Sequence, residues 1–523
     1  MTAPGKEPMS QTETQPSTGP DDRPAVDLHD PPVQPPAPSN GALTPTPTQP
    51  PSVSAAVPAD VRPVGRVGAP RGAEATSDTF SVWVADDEVV EKTQLVRADT
   101  EVGGRPVHMY GLVSEVSRRS RRADILEESD RYDNDPAESV PTSPGGVTFA
   151  QVRVLGSQPV LLAPPREESP VFAADTTDVA AAYSMNDMAA PITVGLVRNG
   201  GEATAGPARI DLDYLLGALG GHCNVGGMAG VGTKSSFLTI LASQVQQTLA
   251  GRRAQGTSEA QARVVILNVK GFDLFWLDHW SRSFDQTDVA MWADMGVTDP
   301  RPLSVTFHAP QAPGSEQLAI PTGRQDVAPY SWSLADIAAG DLFGYLFGDS
   351  ERDDDNFALL LGDLERVLVQ ERTAADGRVL RSLRSDGPAG SFRDLLAWVE
   401  QGVNGDDPPG WSSFARGSHH SGTLRRFHRR LRRIVYESAG IFRLDSGGSH
   451  PLDITQLDPT RPAVIDIQSL TDAHHQRFVV AALLNQAVSD QTGPGAVRGM
   501  HYLFVLDELN RFAPAGKATQ SPN

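Results

Sequence analysis

Cysteine is almost missing. The 523 residues contain one, Cys223, which excludes an internal disulfide framework and any zinc site built from several thiolates. Long apolar runs are missing as well; the longest cover a handful of residues, against the ~18 that a membrane-crossing helix needs. No succession of basic, apolar and small residues marks the N-terminus as a signal peptide. The expectation is a cytoplasmic protein with no membrane association. Positive charge is in deficit, leaving a formal net charge of −20. A chain of that sign repels nucleic acid unless a local basic surface overrides it. Aromatic residues are absent from residues 1–78, which hold 17 of the 42 prolines. That segment is rich in Thr, Ser, Gln and Ala and cannot bury enough apolar surface to offset the entropy of ordering it. It reads as a disordered tail of polyproline character.

The whole chain is 39% apolar, enough for sizeable cores, and the length suggests about three domains at ~100–200 residues each. Order is expected from Phe80, where Phe80, Val82 and Val84 alternate with Thr79, Ser81 and Trp83 at strand period. Short apolar stretches follow at Thr93–Val96, Val107–Val116, Val147–Leu155 and Pro159–Leu162, punctuated by Gly103-Gly104 and Pro144-Gly145-Gly146. Short strands with glycine turns predict a small β-barrel over 79–185, with the acidic stretch Glu127–Glu138 as a solvated loop. From about residue 186 the pattern becomes α/β. Buried strands are expected at Ile192–Val197, His222–Val225, Val264–Val269, Ala463–Ile467 and Tyr502–Leu506, in a parallel sheet covered on both faces. Residues 331–436 read as a mostly helical insertion between two core strands. Cys223, inside an expected strand, reads as a small buried residue, and Trp276 and Trp280 as packing residues.

Chemistry concentrates in two places. The first is Gly226-Gly227-Met228-Ala229-Gly230-Val231-Gly232-Thr233-Lys234-Ser235-Ser236, leading into an apolar-striped helix. Strand, glycine loop, Lys-Ser and helix is the plan of a phosphate-binding loop. Backbone N–H groups and the helix N-terminus face the phosphates. Lys234 adds a compact positive charge, and Ser235 offers a hydroxyl to Mg²⁺. The strict pattern would place glycine where Met228 and Thr233 stand, so a glycine turn into an ordinary helix stays open. The second place is His501-Tyr502-Leu503-Phe504-Val505-Leu506-Asp507-Glu508, an apolar strand ending in two carboxylates. Asp507 would order the Mg²⁺ shell and Glu508 would activate water.

Together with Asn268-Val269-Lys270-Gly271-Phe272-Asp273-Leu274 and Asp507-Glu508-Leu509-Asn510-Arg511-Phe512-Ala513-Pro514, these residues resemble the HerA-like branch of the FtsK/HerA P-loop motor ATPases. The likeness spans about 80–514. A subgroup of that family is similar in having Thr-Lys where most members have Gly-Lys. The resemblance implies a RecA-like P-loop ATPase core with a helical insertion over 186–514, preceded by a small barrel, and a polar tail at 515–523. It also implies a ring, usually hexameric, that uses ATP and Mg²⁺ to translocate or unwind double-stranded DNA, often beside a nuclease partner. By resemblance, Gly227, Gly230, Gly232, Thr233, Lys234, Ser235 and Ser236 hold the nucleotide, Ser235 and Asp507 the metal, and Lys234, Asp507 and Glu508 serve catalysis. Asp273 is open to either an assisting or a helix-capping role. Family members continue past Glu508 with another strand, a polar sensor and a trans-acting arginine, whereas 15 residues follow it here. A sheet short of strands is therefore expected. A nucleotide-binding regulatory or assembly subunit with little hydrolysis is the alternative reading.

One more segment stands out. In Thr423–Tyr436, Leu424, Phe427, Leu431 and Ile434 share one helical face, while Arg425, Arg426, Arg429, Arg430, Arg432 and Arg433 cover the rest. The helix reads either as a track for DNA phosphates, independent of base sequence, or as a surface helix whose arginines pair with carboxylates such as Asp353–Asp355.

Overall fold

The computed structural model describes residues 62–507, leaving out 69–73, nearly all of 120–145, 218–220, 227–232, 298–299, 313–314, 316, 349–353, 376, 416–418, 438–439, 495 and 497–498.

Six strands close into a barrel: β1 (Gly65–Val67), β2 (Thr79–Val84), β3 (Leu95–Val102), β4 (Arg105–Arg119), β5 (Val147–Gln158) and β6 (Pro170–Ala173), in the order β1-β2-β5-β4-β3-β6. Alternation fills the interior: Val82, Ala98, Met109, Val113, Val152 and Val171 are buried there. Gly103 and Gly104, at φ 62° and 76°, make the tight turn between β3 and β4, as a two-residue hairpin loop with positive φ requires. Two expectations are corrected. β1 lies inside the segment expected to be tail. It has only three residues and pairs with both β2 and β6, so long-range pairing rather than composition decides its state. Gly65 permits it, because a Cβ there would sit 2.2 Å from the Trp83 carbonyl oxygen. Pro159–Leu162 is not a strand; Val160 and Leu162 are almost fully exposed. Pro159 brings no N–H to a ladder, and the closing strand is β6 instead.

The second half is built on a five-stranded, all-parallel sheet in the order β11-β10-β14-β9-β15: β9 (Gln261–Asn268), β10 (Thr306–Pro310), β11 (Val327–Tyr330), β14 (Ala463–Asp466) and β15 (Met500–Leu506). In β9, Val264 and Ile266 pack to one side with Ala242 of the helix Thr233–Ala254. Val265 and Leu267 pack to the other with Phe478 of the helix Ala473–Thr492. Both faces are covered, which is why the strand reads as a continuous apolar run. β10 and β11 carry no comparable run and escape a reading of the sequence.

Two further expectations change. Ile192–Val197 does not join this sheet; it lies in β7 (Pro191–Arg198), an antiparallel hairpin with β8 (Thr204–Asp211). Ile192 covers Leu241, Val245 and Leu249 of the helix Thr233–Ala254. His222–Val225 has no regular structure, and Cys223 is exposed rather than buried. Among the described residues β15 pairs only with β9, so no neighbour takes up the backbone groups of 222–225. The insertion is mainly helical, with helices at Leu334–Ala339, Asp355–Leu368, Phe392–Asn404, Trp411–Ala415 and Ser421–Glu437, but it also contains the hairpin β12 (Val369–Thr373) and β13 (Val379–Leu383). Among the described residues no helix is long and apolar enough to cross a membrane.

Candidate functional site

The C-terminal edge of the parallel sheet assembles the polar groups, as open α/β sheets tend to do. Register sets Leu506 beside Leu267 and Asp466 beside Asn268, so β14, β9 and β15 end together. Asp507 follows β15 directly and meets the first turn of the helix Thr233–Ala254: the Ser235 hydroxyl donates to Asp507 Oδ2 at 3.0 Å, across 272 residues of chain. Thr239, one turn on, donates its hydroxyl back to the Ser235 carbonyl at 2.7 Å, fixing that turn. Lys234 is half-buried beside this contact and makes no ion pair or side-chain hydrogen bond among the described residues.

These residues open onto a cavity of about 1190 Å³, above the usual ~300–1,000 Å³ of a ligand site. Lys234, Ser235, Ser236, Thr239, Lys270, Asp273 and Asp507 line its polar end. Ile240, Leu274, Leu277, Trp292, Val297 and Leu303 line its apolar end. Asp273 opens a short 3-10 turn, Asp273–Trp276, whose preceding cap position is Phe272. Its carboxylate borders the cavity and does not cap the turn. Arg324 braces this wall. It is nearly buried, binds both oxygens of Asp278 at 2.9 and 2.8 Å, donates to the Phe275 carbonyl and stacks on Phe307. The guanidinium holds the Asp278 carboxyl down at about 2. Trp276 takes part at the surface under the same guanidinium, and both it and Trp280 are about half exposed.

Beneath the polar end lies a pair with no signature in the sequence. Asn268 and Asp466 are both fully buried. Asn268 Nδ2 donates to Asp466 Oδ1 at 2.9 Å and to the Gly271 carbonyl at 2.8 Å. The backbone N–H groups of Gln468 and Ser469 also donate to Asp466. Burial pushes the Asp466 carboxyl up, against the pull of these hydrogen bonds. The pair fixes the turn that carries Lys270 and Gly271, the latter at φ 59°, into the cavity wall. A strand ending in Asn and another ending in Asp are the only signal, and nothing local couples them.

Of the residues singled out in the sequence, Lys234, Ser235, Ser236 and Asp507 are thus brought together. Gly227, Gly230, Gly232, Glu508 and the Thr233 side chain lie outside the described residues; Thr233 itself opens the helix. Ser235 and Asp507 form a hard oxygen donor set of the kind Mg²⁺ takes beside a phosphate. Lys234 at a helix N-terminus suits the phosphate itself. The residues present therefore fit a metal-bound nucleoside triphosphate.

The basic helix, Ser421–Glu437, buries Leu424, Phe427, Leu431, Ile434 and Val435. Its arginines divide. Arg426 pairs with Asp354 at 2.7 Å, and Arg433 with Glu437 at 2.9 Å. Arg430 also has an interaction partner. Arg425, Arg429 and Arg432 project outward without an ion pair among the described residues.

No family model and no curated protein sequence matches the chain.

Proposed function

We propose that the chain is an ATP-binding and ATP-hydrolysing motor of HerA type, with a RecA-like core, acting on double-stranded DNA without sequence specificity. The observation that carries the reading is the Ser235–Asp507 hydrogen bond. It joins a helix N-terminus bearing Lys234 to an acidic strand end, on the edge of a parallel sheet and at the mouth of a large cavity. In this reading Lys234 and the N–H groups opening the helix hold the phosphates. Ser235 and Asp507 hold Mg²⁺, which supplies charge neutralisation on the phosphates when bound. Glu508 accepts a proton from the attacking water. Gly227, Gly230, Gly232 and Thr233 shape the loop around the phosphates. A homo-hexameric ring and a nuclease partner belong to the same proposal and rest on resemblance alone.

A second reading, a nucleotide-binding regulatory subunit with little hydrolysis, is favoured by one observation. Residues 221–226 stand outside the sheet, and among the described residues no strand covers the outer edge of β15. ATP turnover by the purified chain, with and without linear duplex DNA, separates the two. The motor reading expects DNA-stimulated turnover, abolished by Lys234→Ala and reduced ~10²–10⁴-fold by Glu508→Gln with ATP binding retained. ATP binding without turnover would sink the motor and leave the regulatory subunit.

A further inference from the structure

We propose that Arg425, His428 and Arg429, facing Asn404, form a site for backbone phosphates of a nucleic acid. The site lies on the seam between the basic helix and the helix Phe392–Asn404. This narrows the DNA-acting part of the function above to particular residues and does not depend on its nucleotide site.

Those four side chains, with Val403, line a cavity of about 420 Å³. In a chain of net charge −20, no carboxylate among the described residues lines it. Two guanidiniums one helical turn apart repel each other. On this helix the other arginines show how such repulsion is usually relieved: Arg426 and Arg433 each reach a carboxylate. Arg425 and Arg429 reach none among the described residues, and His428 between them makes no side-chain hydrogen bond. The opposing wall is a helix C-terminus, whose carbonyls would normally disfavour an anion. Two of them are already engaged: the Gln401 carbonyl accepts from Asp406 N at 3.1 Å and the Gly402 carbonyl from Gly405 N at 3.3 Å. Gly405 closes the helix at φ 103°. Asn404, which also lines the cavity, carries a side-chain amide that can donate.

A backbone rather than an isolated phosphate fits because the array continues. Arg432 is exposed one turn further along and within ~40° of the same line on the helix. From Arg425 to Arg429 the helix rises ~6 Å, and to Arg432 ~10 Å, steps that let successive guanidiniums meet successive phosphates. Guanidiniums bind phosphate oxygens in pairs, so each contact is directional as well as electrostatic.

The test is fluorescence anisotropy of a short labelled duplex titrated with the full chain, without nucleotide, between ~50 and ~200 mM salt. Inorganic phosphate is titrated in parallel as the free anion. The paired change Arg425→Ala with Arg429→Ala is expected to weaken DNA binding at least ~10-fold and to reduce the salt slope by about two. Arg425→Lys with Arg429→Lys should keep the slope while losing part of the affinity. An unchanged circular-dichroism spectrum and urea-unfolding midpoint of the Ala pair show that the fold is intact. Wild-type DNA binding that the Ala pair leaves within about twofold would overturn this site and spare the DNA reading. Absence of DNA binding by the wild-type chain would overturn both. Phosphate binding at these arginines without DNA binding would overturn the nucleic-acid assignment.

Discussion

Asp466 concentrates the conflict between burial and chemistry. It is a fully buried carboxylate with no cation paired to it among the described residues; its partners are the Asn268 amide and two backbone N–H groups. Removing it should be costly in one direction only. Asp466→Ala strips the acceptor from the Asn268 amide and the Ser469 N–H, while the Gln468 N–H keeps the Asn268 carbonyl, and at ~1–3 kcal/mol for unsatisfied groups a loss of roughly 2–4 kcal/mol is expected in urea unfolding. Asp466→Asn keeps an acceptor for the Asn268 amide and the Gln468 N–H and loses only the longer bond from the Ser469 N–H to Oδ2, so its cost should be about 1 kcal/mol. The pH dependence has a definite sign. A carboxyl raised by burial contributes fully below its unfolded value near 3.8 and loses that contribution as pH rises through its folded value. The Asn variant should therefore gain on the wild type between pH 4 and pH 7. A deficit of the Asn variant that widens over that range would contradict the assignment of burial as the cause. The Asn268 pair shows why part of the site is illegible in sequence: each member ends an ordinary apolar strand, and only register sets them side by side. Lys234, Ser235 and Asp507 could be singled out because a glycine loop with Lys-Ser and an acidic strand end form a recognisable pattern, and the structure brings the three together.

At the scale of elements, contrast decides what can be read. The basic helix was legible from its four apolar positions against six arginines, and those four are buried. The hairpin β12–β13 was not: it is mostly exposed on both strands, so no alternation marks it and its pairing is purely backbone. β7 shows the intermediate case. Its apolar run was read correctly as a strand but assigned to the wrong sheet, since an apolar run alone does not name the partner. The basic helix also separates packing from charge within one element. Phe427 is fully buried, with ring centroids 5.7 Å from Phe347 and 6.0 Å from Phe357. Phe427→Ala should cost ~3–5 kcal/mol. Arg432→Ala, on the opposite face, should stay within ~0.5 kcal/mol. Arg426→Ala should fall between, because Arg426 pairs with Asp354 and lies over the Phe357 ring. Asp354 in turn caps the helix Asp355–Leu368 by accepting from the Asn356 and Phe357 N–H groups. Denaturant midpoints of the three variants check the order. Equal losses for Phe427→Ala and Arg432→Ala would mean that the arginine face is packed rather than solvated.

Across the whole molecule, acid should act in two separated windows. Burial lowers both His308, in β10, and His475, in the helix Ala473–Thr492, to about 4. A histidine lowered in the folded state binds its proton preferentially when unfolded. Its contribution is complete above the ordinary 6.5 and is lost as pH falls towards 4. The gap from 6.5 to 4 corresponds to roughly 3 kcal/mol for each buried ring, large against a total stability of ~5–15 kcal/mol. The Arg324–Asp278 clamp behaves differently. With the Asp278 carboxyl held at about 2, its contribution persists through that first window and is lost only between the ordinary carboxylate value and about 2. Chemical unfolding midpoints should therefore fall between pH 6.5 and pH 4 and fall again below pH 4. Replacing His475 by Gln should flatten the first decline, because an uncharged amide has no proton to take up. Replacing Asp278 by Asn should reduce only the second. The rings sit in elements that build and cover the parallel sheet, whereas the clamp braces the wall of the cavity beside Lys234. A midpoint that holds constant from pH 7 to pH 4.5 would show that the two histidines are not shielded from solvent as the packing requires.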